Sequence, residues 1–421
     1  METFLNQSKN PVRDSYIWNM AGSFLLAFQS VIILMVLTRI CDLSEAGIFT
    51  IAYANANLFF IIGKYGMRYF QASDPKERYT FKDYLMSRVV TTVLMLLLVA
   101  VYVLWVSGAN GYTVRKMSII FLMCVFKSVD VVEDIFFGRY QQMGRLDIAA
   151  KAITLRVSFS TVVFLVMLVI SKDLLGTLMV SILLSYVMLF YVLKITIEPF
   201  KGERNPADWH QVKQLLIDCF PLFFGAFLSI YISNAPKYAI DALLSDELQA
   251  CYGFISMPVL VISLLNGIIF NPVIREMSIL WNESKILDFC KRVIRQLFIV
   301  LGLTGVCVAG AWLIGIPVLS VLYNTDLSDY KMELIILLLG GGLLGISGLF
   351  STVITIIRYQ KSLLVGYTVV SVLAFLLSDK IVAEYEIFGA SVLYLLLMLV
   401  LSICFALFLI IGIVRKRVEL K

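Results

Sequence analysis

Apolar runs of about twenty residues follow one another along almost the whole chain, and no other feature limits the fold as strongly. A helix needs ~20 apolar residues to cross the hydrocarbon core of a bilayer. Twelve such runs are present, at 15–38, 46–68, 84–107, 117–138, 148–170, 174–197, 212–235, 250–273, 293–316, 332–357, 362–378 and 388–414. With 60% hydrophobic and 15% charged residues, the chain has more apolar surface than a soluble core could hide. The runs are too long for the ~10-residue alternating strands of a membrane β-barrel. The sequence predicts an all-α integral membrane protein of about twelve spanning helices. No cleavable signal pattern follows the polar start METFLNQSKN, so the first run is expected to stay as an anchor.

Charge orients the runs. With the N-terminus in the cytoplasm, 26 of the 35 Lys and Arg residues fall on cytoplasmic ends and loops, and seven fall outside. Lys127 and Arg156 lie within runs. This positive-inside bias predicts cytoplasmic termini and an even number of spans. The net charge of +6 is then a topology signal, and nucleic-acid binding, which wants a basic face on a soluble domain, is excluded. His210 is the only histidine, which excludes a histidine-rich metal site and a Ser-His-Asp triad. Seven scattered cysteines suggest packing, with no disulfide framework or metal motif. No nucleotide-binding Gly-rich loop ending in Lys-[Ser/Thr] is present, so no ATP is expected to be used directly. Connections stay within about 20 residues, leaving no extramembrane domain. No catalytic residues and no cofactor are expected.

The chain also looks duplicated. Leu43-Ser44-Glu45 precedes the second run, and Leu244-Ser245-Asp246-Glu247 precedes the eighth. Either serine could cap a helix start, with acids at the positive end of the dipole. Arg139-Tyr140-Gln141 closes the fourth run, and Arg358-Tyr359-Gln360 closes the tenth. Six runs separate equivalent points, so the halves share one orientation, as in a parallel repeat. The expected division is 1–200 and 201–421, two six-helix bundles around a central cavity. Such a plan suits a transporter.

The fourth run is the most unusual. Lys127, Asp130, Glu133 and Asp134 crowd into it, and one charge at a bilayer centre costs ~3 kcal/mol on insertion scales. The three acids form one helix face, and Lys127 can pair with Asp130. A short turn near residue 144 sets Arg156 opposite residue 132. An ion pair of Arg156 with Asp130 and Asp134 is therefore expected, with Glu133 hydrated or partly protonated. Two roles compete for this network: locking the fourth and fifth runs together, or coupling to substrate or to protons. At an offset of 219 the second half has Ile346, Leu349, Thr352, Val353 and Phe375. The charges are thus no part of the repeat, which favours a functional role.

Tyr53, Asn57, Lys64 and Arg68 form a polar stripe on the second run. Asn57 is the deeper candidate for a hydrated cavity; Lys64 and Arg68 are equally explained as interfacial residues that snorkel. Asn19, Gln29, Ser30, Asn234 and Asn266 suit helix-packing hydrogen bonds. Pro221, Pro236, Pro258 and Pro272 cluster in the seventh and eighth runs, where bends are expected. Gly340-Gly341-Gly342, Gly345 and Gly348 make the tenth run a close-packing helix.

The stretch TRICDLSEAGIF (38–49) resembles the first hairpin of the polysaccharide-transporter flippases. These belong to the multidrug/oligosaccharidyl-lipid/polysaccharide exporter superfamily. GRYQQMGR (138–145) with Arg156 resembles the turn after their fourth helix, and Pro221 with 237–252 resembles their seventh and eighth helices. The resemblance covers nearly the whole chain in span pattern, through loose motifs. It implies two six-helix bundles forming a V-shaped cavity. It also implies flipping of a polyprenyl-diphosphate-linked oligosaccharide (O-antigen or teichoic-acid type) across the bacterial cytoplasmic membrane for cell-surface polysaccharide biosynthesis. The implied partners are the lipid-linked substrate, membrane lipid, H+ or Na+ as coupling ion, and polysaccharide assembly enzymes. Basic candidates for the substrate cavity are Arg39, Lys64, Arg68, Arg156, Lys237 and Arg275, with Asn57 beside them. The acidic cluster departs from a simple cationic cavity. A cation-coupled multidrug antiporter of the same superfamily is the alternative, ahead of a membrane glycosyltransferase or polymerase.

Overall fold

The structure, a computed structural model, describes residues 1–74, 77–200 and 207–419, and only the backbone of residues 268, 269, 271, 272, 275 and 419. The chain divides into two compact units, Met1–Phe227 and Leu228–Lys421. The expected boundary at 200/201 adjoins residues 201–206, which lie outside the described residues.

In the first unit a short helix α1 (Glu2–Asn6) precedes α2 (Pro11–Ile40), α3 (Leu43–Lys64), α4 (Met67–Ala72), α5 (Phe81–Asn110), α6 (Val114–Gln142), α7 (Leu146–Ser171) and α8 (Leu174–Thr196). The polar N-terminus is not a loose tail: Leu5 is fully buried, and Asn6 Nδ2 donates to the Ile195 carbonyl at 3.1 Å. The centre of the unit is α6, which packs against α3, α4, α5, α7 and α8. Protein therefore surrounds its charges, where a peripheral helix would turn them to lipid. The expected second span, 46–68, is broken: α3 ends at Lys64, and Tyr65 and Gly66 both turn left-handed (φ 51 and 69) before α4 begins. Tyr53, Asn57 and Lys64 thus lie on one helix and Arg68 on another.

α9 (Trp209–Leu243) leads from the first unit into the second, where α10 (Asp246–Ser256), α11 (Pro258–Asn282), α12 (Ile286–Gly310), α13 (Ile316–Tyr323), α14 (Lys331–Ile356) and α15 (Lys361–Glu419) follow. Pro221 and Pro236 lie inside the continuous α9, whereas Pro258 opens α11 after a break in the expected eighth span. The centre here is α14, packed against α11, α12 and α15. Its glycines allow the approach: a Cβ on Gly340 would meet the Tyr394 ring at 2.6 Å, and one on Gly341 would meet Val259 at 3.0 Å.

At ~1.5 Å per residue, a straight α15 would far exceed a bilayer. Glu386 breaks it with φ 47 and ψ −130. The chain turns back there: the Tyr367 and Phe405 rings sit 5.1 Å apart, and a Cβ on Gly389 would meet the Ile381 carbonyl at 2.5 Å. Those residue numbers sum to nearly the same value, the mark of an antiparallel hairpin centred on Glu386. Among the described residues, ten helices are long and apolar enough to cross a membrane by length and composition. The difference from the expected twelve rests on two segments: charged α6 falls outside the ten, and the hairpin of α15 counts as one.

The repeat signals differ in backbone detail. Ser245 caps α10, its Oγ accepting the Leu248 N–H at 3.4 Å, but Ser44 lies inside α3, whose N-cap is Asp42. Arg139-Tyr140-Gln141 is still helical within α6, while Arg358 is left-handed (φ 59) beyond the end of α14.

Candidate functional site

Asp130, Glu133 and Asp134 project from α6 in two directions. At about 100° per residue, Glu133 and Asp134 fall on opposite sides of Asp130. Arg156, on α7, reaches the first side. Its Nη2 is 2.6 Å from Asp130 Oδ1 and 2.5 Å from Glu133 Oε2, and its Nε donates to Glu133 at 3.1 Å. Lys127 Nζ closes this group at 3.3 Å from Asp130 Oδ2 and lies 4.9 Å from the centre of the Tyr53 ring. Arg156 and Asp130 thus pair as expected. Asp134 does not join them, because its position on the helix turns it toward α3 and α5.

A second group forms there. Asp134 Oδ1 is 3.0 Å from Lys64 Nζ and 4.0 Å from Arg68 Nη1, and its Oδ2 is 2.9 Å from Arg88 Nη2. Arg88 Nη1 also donates to the Gly63 carbonyl at 2.5 Å, which tethers the end of α3. Arg68 lies over the Phe137 ring at 3.7 Å and donates to Gln141 Oε1 at 3.1 Å. The reversal at Tyr65 and Gly66 places Lys64 and Arg68, on different helices, against one carboxylate.

Between these groups lies a cavity of about 110 Å³. Lys64, Arg68, Asp130, Glu133 and Asp134 line it, with Asn19 of α2. Its lining thus holds two cations and three carboxylates. Arg88, Lys127 and Arg156 bind those carboxylates from outside the lining, so the whole network sets five cations against three carboxylates, an excess of two positive charges. Exposure divides them. The Lys64 and Arg68 side chains are 32% and 30% exposed, while those of Asp130, Glu133 and Asp134 are at most 11% exposed. The charge offered to the cavity is therefore mainly positive. Glu133 Oε1 is buried with no hydrogen-bond partner, so it could accept a proton.

The other candidates lie elsewhere. Asn57 is half-buried on α3 and does not line this cavity. Arg39, near the end of α2, donates to the Met35 carbonyl at 2.5 Å. Lys237 is half-buried on α9 in the second unit. The Arg275 side chain lies outside the described residues. Arg88, near the start of the third run, is one of the 26 basic residues counted on the cytoplasmic side, but its side chain is only 1% exposed. Charge bookkeeping points to it. Arg156 and Lys127 balance two of the acids of α6, and the third needs a cation from another helix.

No protein-family model matches the chain. It is 21% identical over 381 residues to "Capsular polysaccharide biosynthesis protein CapF" of Staphylococcus aureus, covering 88% of this chain and 92% of that protein. Among solved structures, an outward-facing multidrug resistance MATE family transporter of the MOP superfamily superposes with a TM-score of 0.61 at 11% identity, covering 99% of this chain and 98% of the other. The lipid II flippase MurJ, in an inward closed conformation, gives a TM-score of 0.62 at 14% identity, covering 93% and 87%. The eukaryotic MATE transporter AtDTX14 gives 0.60 at 13%, covering 98% and 100%. The chain is a multi-pass membrane protein with the two-repeat fold that the MATE and MurJ structures share.

Proposed function

We propose that this protein is a transporter that flips a polyprenyl-diphosphate-linked oligosaccharide across the bacterial cytoplasmic membrane, for cell-surface polysaccharide assembly. The observation that carries this reading is the sign of the cavity beside α6. Its three carboxylates are buried and each is bound by cations of a network with two more positive than negative charges, while Lys64 and Arg68 remain accessible. An excess of two positive charges suits a diphosphate, to which lysine and arginine make charge-assisted hydrogen bonds. Similarity to a protein named for capsular polysaccharide biosynthesis supports the same substrate class. The fold shared with a lipid II flippase supports the same kind of movement. Lys64 and Arg68 hold the diphosphate, and the lipid tail stays in the bilayer. Arg156, Arg88 and Lys127 keep the acids of α6 from repelling the substrate. The chain itself forms and breaks no covalent bond.

Gene deletion followed by analysis of lipid-linked oligosaccharide tests this. Accumulation on the cytoplasmic face is expected, reversed by the intact gene and not by a Lys64→Ala/Arg68→Ala double variant. An unchanged surface glycan with a gain in drug sensitivity would establish the second reading, a cation-coupled multidrug antiporter. That reading draws on Asp130, Glu133 and Asp134 lining the same cavity, and on the likeness to MATE structures.

A further inference from the structure

A second polar cavity, of about 370 Å³, lies in the second unit at the turn joining α11 to α12. Lys285, Lys291, Arg292 and Arg295 line it, with Glu276 and Asp288 as its carboxylates. Asp288, Lys291, Arg292 and Arg295 are spaced i, i+3, i+4 and i+7, so α12 presents them on one face. The ion pairs organise this face without filling it. Arg292 is bound across the hairpin to Glu276, and Lys291 is held 3.4 Å from Asp288. Arg292 Nε is buried with no acceptor. Arg295 has no ion pair among the described residues. Lys285 is paired with Glu283 at 2.7 Å, just outside the lining, so four cations against three carboxylates leave an excess of one positive charge.

The same helix carries an apolar stripe. Leu287, Ile294, Phe298 and Leu301 are 65%, 52%, 67% and 48% exposed, at successive spacings of seven, four and three. The stripe starts beside the cations and runs along α12 into the expected span. A soluble anion would use the cations and ignore the stripe. A lipid with an anionic head would use both.

We infer that the α11–α12 turn binds the phosphate headgroup of an anionic lipid in the cytoplasmic leaflet, with the acyl or prenyl chain along the α12 stripe. The charge distribution of the sequence sets this turn on the cytoplasmic side. The site shares no residue with the cavity beside α6, and it stands whichever substrate the protein carries. A bulk phospholipid and a prenyl phosphate offer the same head chemistry.

The test uses delipidated full-length protein and native mass spectrometry. It is titrated separately with cardiolipin, undecaprenyl phosphate, phosphatidylcholine and inorganic diphosphate. Binding of cardiolipin or undecaprenyl phosphate, with phosphatidylcholine excluded, is expected, and the lipid that binds identifies the source. A Lys291→Ala/Arg295→Ala variant should bind roughly tenfold more weakly. Lys291 and Arg295 are exposed, so that variant should retain the parent unfolding temperature. A Lys9→Ala/Arg13→Ala control, on exposed basic residues of the first unit, should bind as the parent does. Equal binding of phosphatidylcholine, no loss in the first variant, or an equal loss in the control would overturn the inference. So would occupancy by inorganic diphosphate at the same concentrations.

Discussion

Arg88 and Asp134 meet at 2.9 Å inside the first unit, joining α5 to α6, and the same guanidinium holds the Gly63 carbonyl where α3 ends. A carboxylate bound by one buried arginine and two accessible cations is both a structural tie and the rear wall of a cavity. Those two roles can be separated by mutation.

Removing the charge of Asp134 leaves Arg88 buried without a counter-ion. Breaking such a pair from one side costs about 3 kcal/mol or more. Asp134→Asn is therefore expected to lower the unfolding temperature of the purified protein clearly. Combining it with Arg88→Met should cost less than the two single losses added, because the apolar chain leaves no orphan charge. Thermal unfolding of the four proteins gives the coupling directly.

Lys64→Ala and Arg68→Ala should behave differently. Their side chains are about a third exposed, so stability should change little. On the proposed function, each contributes a charge-assisted contact to the anionic substrate worth about 1.5 kcal/mol, roughly tenfold in affinity. Flipping assayed in proteoliposomes should show the apparent KM rising about tenfold for each. A loss of folded protein instead would assign these two residues to the scaffold.

Glu133 separates coupling from locking. One of its oxygens is held by Arg156 and the other is buried without a partner. Glu133→Gln is expected to preserve folding, since Asp130 still pairs with Arg156, and to flatten the dependence of transport on external pH. Transport rates measured across a pH series decide it; an unaltered profile would leave Glu133 only its tie between α6 and α7.

Two glycines predict opposite outcomes. A Cβ at Gly63 would sit 2.8 Å from both methyl groups of Val131 and 2.9 Å from Met95 Sδ, so Gly63→Ala should cost about 1–3 kcal/mol through overpacking and shift neighbouring Lys64. Gly108 has nothing within 4 Å of such a Cβ, and Gly108→Ala should be neutral or stabilise by up to about 1 kcal/mol. Unfolding temperatures of the two variants should move apart.

At the far end of α3, Arg115 bridges Glu45 and Asp173, each at 2.7 Å. Burial pushes the Asp173 carboxyl up, but the Gly176 N–H and the Arg115 guanidinium outweigh it and hold the group below the ordinary 3.8. A depressed carboxylate adds stability above its unfolded value and loses it as pH falls through the folded one. Asp173→Asn, which keeps the capping geometry, should therefore unfold at a lower temperature than the parent at pH 7. The gap should close at pH values well below 3.8.

Long apolar runs made the helices legible, and the charges of α6 marked the place to look. The Arg156–Asp130 pair followed from counting across a short turn. What could not be read was rotation. Whether Asp134 faced α7 or α5 depended on which helices surrounded α6, information held by packing between distant segments. Arg88 was missed because an arginine near a run end looks interfacial until its helix is seen against α3 and α6. The break after Lys64 was hidden because a left-handed Tyr65 has no strong local signature, although Gly66 beside it does. The two halves also fill matching central positions with opposed chemistry. α6 binds its neighbours through charge, and α14 does so through glycines that Tyr394 and Val259 press against. Ile346, Leu349 and Val353 are buried where the charges would otherwise fall, so this asymmetry was visible in sequence before its packing consequence was.

The reversal at Glu386 bears on how the chain is made. A single non-helical residue separates the two arms of α15. No loop separates the arms: the charges at the bend, Asp379, Lys380, Glu384 and Glu386, all lie within about two turns of the reversal, which leaves little chain to rest in water while the second arm is synthesised. The two arms are therefore expected to enter the bilayer as one insertion unit, with the second arm deciding whether the first is ever membrane-embedded.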